Sequence, residues 1–90
     1  MNKITIIDNN GNIVNANTIL SFHCKSTLKN YIVLDNKKDI FEKQSKYNNL
    51  DILEITKENS NEIHVANIPE EDWGKVKYAI QNEIFANFNQ

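Results

Sequence analysis

Apolar and polar residues alternate along much of the first half of the chain. Between Val14 and Cys24 the even positions are mostly apolar, whereas the odd positions include Asn15, Asn17, Ser21 and His23. Alternation with a period of two predicts a strand with one buried face. Shorter apolar runs predict four more strands, at residues 3–7, 31–34, 50–55 and 63–66. Asn10 and Gly11 follow the first strand and suit a tight hairpin turn.

The pattern changes to a helical period near the C-terminus. Apolar residues recur there at spacings of three and four: Trp73, Val76, Ile80, Ile84 and Phe88. This spacing predicts an amphipathic helix that packs its stripe, including a buried Trp73, on the strands. Pro69 suits the first turn, and the acids at 70–72 complement the positive end of the helix dipole. We therefore interpret the acidic triplet as a helix start and not as a chemical site.

Together these elements predict an α+β fold. We expect a mostly antiparallel meander of about five strands, with one C-terminal amphipathic helix packed on one face. The chain has 90 residues and shows no repeat or linker, so we expect one domain over residues 1–90.

Composition narrows the class of protein. All ten basic residues are lysines, and the net charge is -2, which disfavours recognition of nucleic-acid phosphates. The longest apolar run has four residues, so we expect no membrane span and no secretory signal. The lone Cys24 fits a reducing compartment, and we expect a cytoplasmic protein. Sixteen Asn and thirteen Ile, with the lysines, are residues of AT-rich codons and indicate a low-GC bacterial source.

The residues that carry chemistry are few. His23, Cys24 and His64 are the only soft metal-ligand types, and a structural zinc site normally needs four ligands. Facing histidines would require the strands around residues 23 and 64 to be neighbours. His23 cannot activate Cys24 directly, because adjacent residues on a strand point to opposite faces. We expect no metal, no cofactor and no catalytic residue, so the chain is not expected to be an enzyme.

A long connection is predicted at residues 35–49, and connections of this length are often functional. Its candidate partner-binding residues are Lys37, Lys38, Phe41, Lys43, Lys46 and Tyr47. Aromatic anchors among mixed charges are typical of a protein interface, so a non-catalytic protein-binding module is the first hypothesis. The alternative is an RNA- or ribosome-associated protein, in which these lysines and aromatics, with Tyr31, bind a single strand. We expect a monomer or a weak homodimer.

Three short stretches carry a family resemblance. They are residues 4–8 with Gly11, residues 31–34, and Ile68 with residues 70–73 and Val76. With these stretches the chain resembles the small bacterial proteins of the domain of unknown function 1292 family, over most of its length. Members of that family tend to be more acidic, and often have a polar capping residue where this chain has Pro69. The family has no assigned activity, so the resemblance implies a fold and no catalytic residue.

Overall fold

The structure is a computed structural model, and it describes residues 3–35, 45–47 and 50–84. Its elements are β1 (Lys3–Ile7), β2 (Ile13–Cys24), β3 (Lys29–Asp35), β4 (Ser45–Tyr47), β5 (Leu50–Glu58), β6 (Glu62–Ala66), α1 (Glu70–Ala79) and a π-helical segment (Ile80–Ile84). The prediction of a mostly strand-built chain with one helix on its C-terminal side is confirmed.

The strands close into a five-stranded barrel, so the predicted open meander is wrong. Neighbours pair antiparallel in the order β1, β2, β3, β5 and β6, and β6 then returns to pair with β1. In a meander of five strands the first and last run in the same direction, and this closing pair is therefore parallel. Closure removes the exposed strand edges of a meander. It depends on strands that are distant in sequence, so the local periodicity does not predict it.

Side chains from all five barrel strands form the inner core. It contains Ile6, Ala16, Ile32, Leu34, Leu53, Ile63 and Val65. The second half of β2 does not contribute to this core, because a bulge between Thr18 and Leu20 interrupts the pairing with β3. A bulge adds one residue and so reverses the side to which the following residues point. The predicted alternation of β2 is present, but its two halves bury on opposite sides of the barrel wall.

Helix α1 covers the outer side of the wall. The second cluster contains Cys24, Tyr31, Val33, Ile52, Ile68, Val76, Ala79 and Ile80, with Leu20 and Phe22 against it. Trp73 is only partly buried, so the prediction of a buried tryptophan is wrong. It lies in the first turn of α1, one turn before the residues that contact the wall most deeply. Phe88 lies outside the described residues.

Two polar side chains fix two of the turns. The Asp8 carboxylate accepts hydrogen bonds from the backbone N–H of Asn10 at 2.9 Å and of Asn12 at 2.8 Å. Gly11 takes the left-handed backbone conformation, with φ of 82°. Between β5 and β6, the side-chain oxygen of Asn59 accepts the backbone N–H of Glu62 at 3.1 Å. These contacts support the predicted hairpin turn, in which Gly11 has positive φ and Asn10 does not.

The long irregular connection predicted over residues 35–49 has strand structure in both of its described parts. Asp35 ends β3, and residues 45–47 form β4, which pairs antiparallel with the start of β5. A strand of three residues is too short for its pattern to show in the sequence.

Candidate functional site

Two hairpins part at one end of the barrel, and a cavity lies between them. β3 and β5 stay paired from Leu34 with Asp51 as far as Tyr31 with Glu54. Beyond that pair the β2–β3 hairpin and the β5–β6 hairpin diverge, and we call this region the fork. A cavity of about 440 Å³ fills it, lined by residues 21–23 of β2, Asn30 of β3 and residues 55–58 of β5. This volume lies within the range of ligand-binding sites.

The bulge in β2 determines which side chains reach the fork. After it, Ser21 pairs with Ile32 and His23 with Asn30. Ser21 and His23 therefore lie on the inner side of the barrel wall, the side to which Ile32 belongs. Nδ1 of His23 lies 2.9 Å from Oδ1 of Asn30. Because the amide oxygen only accepts, Nδ1 of His23 donates this hydrogen bond.

The opposite wall of the fork carries charges of both signs. A second bulge in β5, between Ile55 and Lys57, brings Lys57 opposite His64 and Glu58 opposite Ile63. Lys57 and Glu58 are both exposed, and both line the cavity. The fork thus combines one cation, one anion and the His23–Asn30 pair above the half-buried Ile55.

A lysine joins three elements on the outer side of the fork. Nζ of Lys29 lies 2.9 Å from Oδ2 of Asp72 in α1 and 3.4 Å from Oε1 of Glu54 in β5. The hydrogen bond to Asp72 raises the pKa of Lys29; burial acts in the opposite direction, and Glu54 adds to the rise. The acidic triplet therefore does more than begin the helix, because Asp72 also ties α1 to the barrel. Sequence reasoning missed this contact, whose partners lie 43 residues apart.

The tip of the β2–β3 hairpin has an unusual residue. Leu28 has a φ of 61°, in the left-handed region, and its backbone N–H donates to the Cys24 carbonyl at 2.8 Å. Its side chain is 78% exposed. The left-handed conformation costs a residue with a side chain about 1–2 kcal/mol, and glycine or asparagine normally occupies such a position. Leu28 therefore combines backbone strain with an apolar side chain in solvent.

The structure describes only some of the residues singled out from the sequence. Lys37, Lys38, Phe41 and Lys43 lie outside the described residues, and Lys46 and Tyr47 are described only as backbone of β4. Tyr31 is fully buried under α1, with its hydroxyl 2.8 Å from that of Thr27, so its ring is not available to stack on a base. Burial raises the pKa of this tyrosine, and the Thr27 hydrogen bond acts in the opposite direction.

The other candidates are placed on separate surfaces. Cys24 is buried beneath the helix, whereas its neighbour His23 is exposed at the fork, as the alternation predicted. β1 lies between β2 and β6 in the sheet, so His23 and His64 are not on neighbouring strands. Within residues 3–35, 45–47 and 50–84, no three His, Cys, Asp or Glu side chains come together as a metal site. No helix in that part of the chain is long and apolar enough to cross a membrane.

No family model, curated protein or solved structure matches this chain. The resemblance to the domain of unknown function 1292 family stays a prediction.

Proposed function

We propose that this chain is a small cytoplasmic, non-catalytic binding module whose partner is another protein, and that the fork and the adjacent hairpin tip contact that partner. The observation that carries the proposal is Leu28. An exposed leucine in a left-handed turn contributes little to the fold, since the same turn is less strained with glycine. Strain of this kind is concentrated at functional positions, and an exposed apolar side chain suits an interface anchor.

The charges in the fork and at Lys29 favour a protein partner over RNA. Lys57 in the fork is adjacent to Glu58, and Lys29 is already engaged by two carboxylates. Phosphate recognition depends on uncompensated positive charge, and the fork has little of it. Alternating charges around a small apolar floor match the polar rim and central anchor of a protein interface.

We propose that the predicted partner-binding residues of the long connection form a second contact with the same protein partner. Phe41 and Tyr47 supply aromatic anchors, and the nearby lysines supply a polar rim. RNA or ribosome binding through these lysines is the rival function.

Leu28→Gly tests the anchor, because its effects on folding and on binding have opposite signs. We expect the free energy of unfolding to stay unchanged or rise by up to about 1 kcal/mol, because the turn is relaxed. We expect the partner recovered by affinity capture from the native cell to fall at least tenfold. Ile13→Thr is the matched control, since Ile13 is an exposed aliphatic residue, 69% accessible, at the other end of the β2 strand.

Salt and nuclease separate the two functions. A contact with RNA weakens steeply between about 50 and 200 mM salt and disappears after nuclease treatment, whereas a protein contact anchored by apolar groups changes much less. A Phe41→Ala, Tyr47→Ala double variant examines the second segment in the same capture. Equal recovery of the same partners by wild type and by the folded Leu28→Gly variant would show that the hairpin tip is not the interface.

A further inference from the structure

One strand edge inside the fork has no pairing partner in the described part of the chain. β5 uses one edge for β4 and β6 and its other edge for β3. Pairing with β3 ends at Glu54, yet β5 continues to Glu58. Along residues 56–58 the edge that faces β3 therefore borders the cavity, which Asn30 of β3 lines on the opposite side.

The structure assigns this edge as the binding site for an extended segment of a partner protein, added to β5 as a further strand. The assignment rests on the protein-binding function proposed above and specifies how the partner binds. Backbone N–H and C=O groups at a free edge are the usual template for strand addition, and the neighbouring side chains then select the sequence.

The shape of the fork favours an isolated segment over a second copy of this chain. A strand inserted beside residues 56–58 has β5 on one edge and faces Asn30 and His23 of the other hairpin across the cavity. A strand that is already part of a folded sheet would bring its own neighbour into that opposite wall. A single extended peptide has no such neighbour, and a cavity of about 440 Å³ is suited to a few residues of it.

The lining predicts the character of the segment. Successive residues of an added strand point to opposite sides of the sheet. Ile55 offers a half-buried apolar floor for one side chain, whereas Lys57 and Glu58 attract an acidic and a basic side chain, respectively. We therefore expect a short segment with one apolar residue flanked by charges of both signs.

Selection from a library of random twelve-residue peptides against the intact 90-residue chain provides the probe. The tightest peptide is then resynthesised with one backbone N-methyl group at each position in turn. Strand addition requires a period of two: methylation of N–H groups that face β5 lowers affinity at least about tenfold, and methylation of the intervening ones changes it less than about threefold. Amide hydrogen exchange within residues 56–58 should also slow at least tenfold when this peptide binds.

The outcomes separate the binding mode from the function. Failure to select any peptide, or N-methyl effects without a period of two, overturns strand addition. The partner can still depend on Leu28 in that case, and the proposed function stands. If the partner recovered from cells is indifferent to Leu28 and selected peptides do not protect residues 56–58, both proposals fail. A doubling of mass in light scattering, abolished by the peptide, would show that a second copy occupies the fork and would also overturn the assignment.

Discussion

Thr18 and Leu20 are two residues apart on β2 and face opposite sides of the barrel wall. Thr18 pairs with Leu34 of the inner core, whereas Leu20 pairs with Val33 of the cluster under the helix. The unpaired Ile19 between them makes this possible. One inserted residue thus lets a single strand line the barrel with its first half and support α1 with its second.

Deleting Ile19 is expected to destabilise the fold severely. Without the bulge, Leu20, Phe22 and Cys24 would turn towards the fork, and Ser21 and His23 would turn towards the helix. Exchanging several buried side chains for polar ones costs more than about 3 kcal/mol at 1.5–3 kcal/mol each. Urea unfolding followed by circular dichroism measures the loss. Ile19→Thr is the control, since this side chain is 40% exposed, and an equal loss in both variants would contradict the role of the bulge.

The helix is expected to stabilise the fold through its deepest residues. Ile80 is fully buried, and Ile80→Ala should lower the free energy of unfolding by about 2–5 kcal/mol through lost burial and a cavity. Tyr78→Ala, at a side chain 62% exposed, should change it by less than about 0.5 kcal/mol. The loss of stability caused by Trp73→Ala should lie between these two values, because Trp73 is partly buried. Denaturant melts with a constant m-value test the order, and a Tyr78 effect equal to that of Ile80 would refute it.

Lys29 is expected to make stability depend on pH in the alkaline range. Its hydrogen bond to Asp72 raises the folded-state pKa above the ordinary value of 10.5. A raised pKa means that the ion pair stabilises the fold fully below the unfolded-state value, and that this contribution is lost as the pH rises through the folded-state value. Wild type should therefore lose stability more steeply than Lys29→Met in melts as the pH rises from about 10 to about 12.

Two comparisons make this measurement specific to Lys29. The pKa of Tyr31 is also raised, by burial, so part of the alkaline loss occurs in every variant. Lys75→Met removes an exposed lysine from α1, the helix that contains Asp72. This variant should keep the wild-type slope of stability against pH. Parallel curves for wild type and Lys29→Met would show that the ion pairs do not couple α1 to the barrel.

Asp8 is expected to make the stability of the fold depend on pH in the acidic range. Burial alone would raise its pKa, but hydrogen bonds from the Asn12 side chain and from the backbone of Asn12 and Asn10 outweigh this effect and lower it from 3.8. A lowered pKa gives stability that is present above the unfolded-state value and is lost as the pH falls through the folded-state value. Asp8→Ala should cost about 1 kcal/mol at neutral pH. The difference from wild type should shrink in melts below about pH 3, and a constant difference would refute the assignment.

Local sequence patterns predicted the elements well and their assembly less well. Five strands and the helix follow from periods of two and three to four, which depend only on neighbours in the chain. The barrel closure between Ile6 and Ile63, and the contact of Lys29 with Asp72, depend on residues distant in sequence. The bulge at Ile19 was hidden because apolar residues continue at even positions on both sides of it.

The fork was not predicted for the same reason. His23 and Asn30 are polar residues on exposed faces, and only the divergence of the two hairpins gives them a common cavity. Leu28 was the one available signal, since a leucine follows the polar turn residues 25–27 where glycine or asparagine is usual. The sequence alone does not report the φ of that residue, so the signal could not be interpreted.

The parallel pairing of β1 with β6 has a consequence for the order of folding. β1 and β2 can form a hairpin as soon as they are synthesised, but the other edge of β1 must wait until β6 (Glu62–Ala66) has emerged. Joining ends so far apart carries a large loop-closure entropy and places this seam late on the pathway. Only three residue pairs hold it. We therefore expect the hairpins of the barrel to form first and the pairing of β1 with β6 to form last. On unfolding, β1 and β6 should separate first.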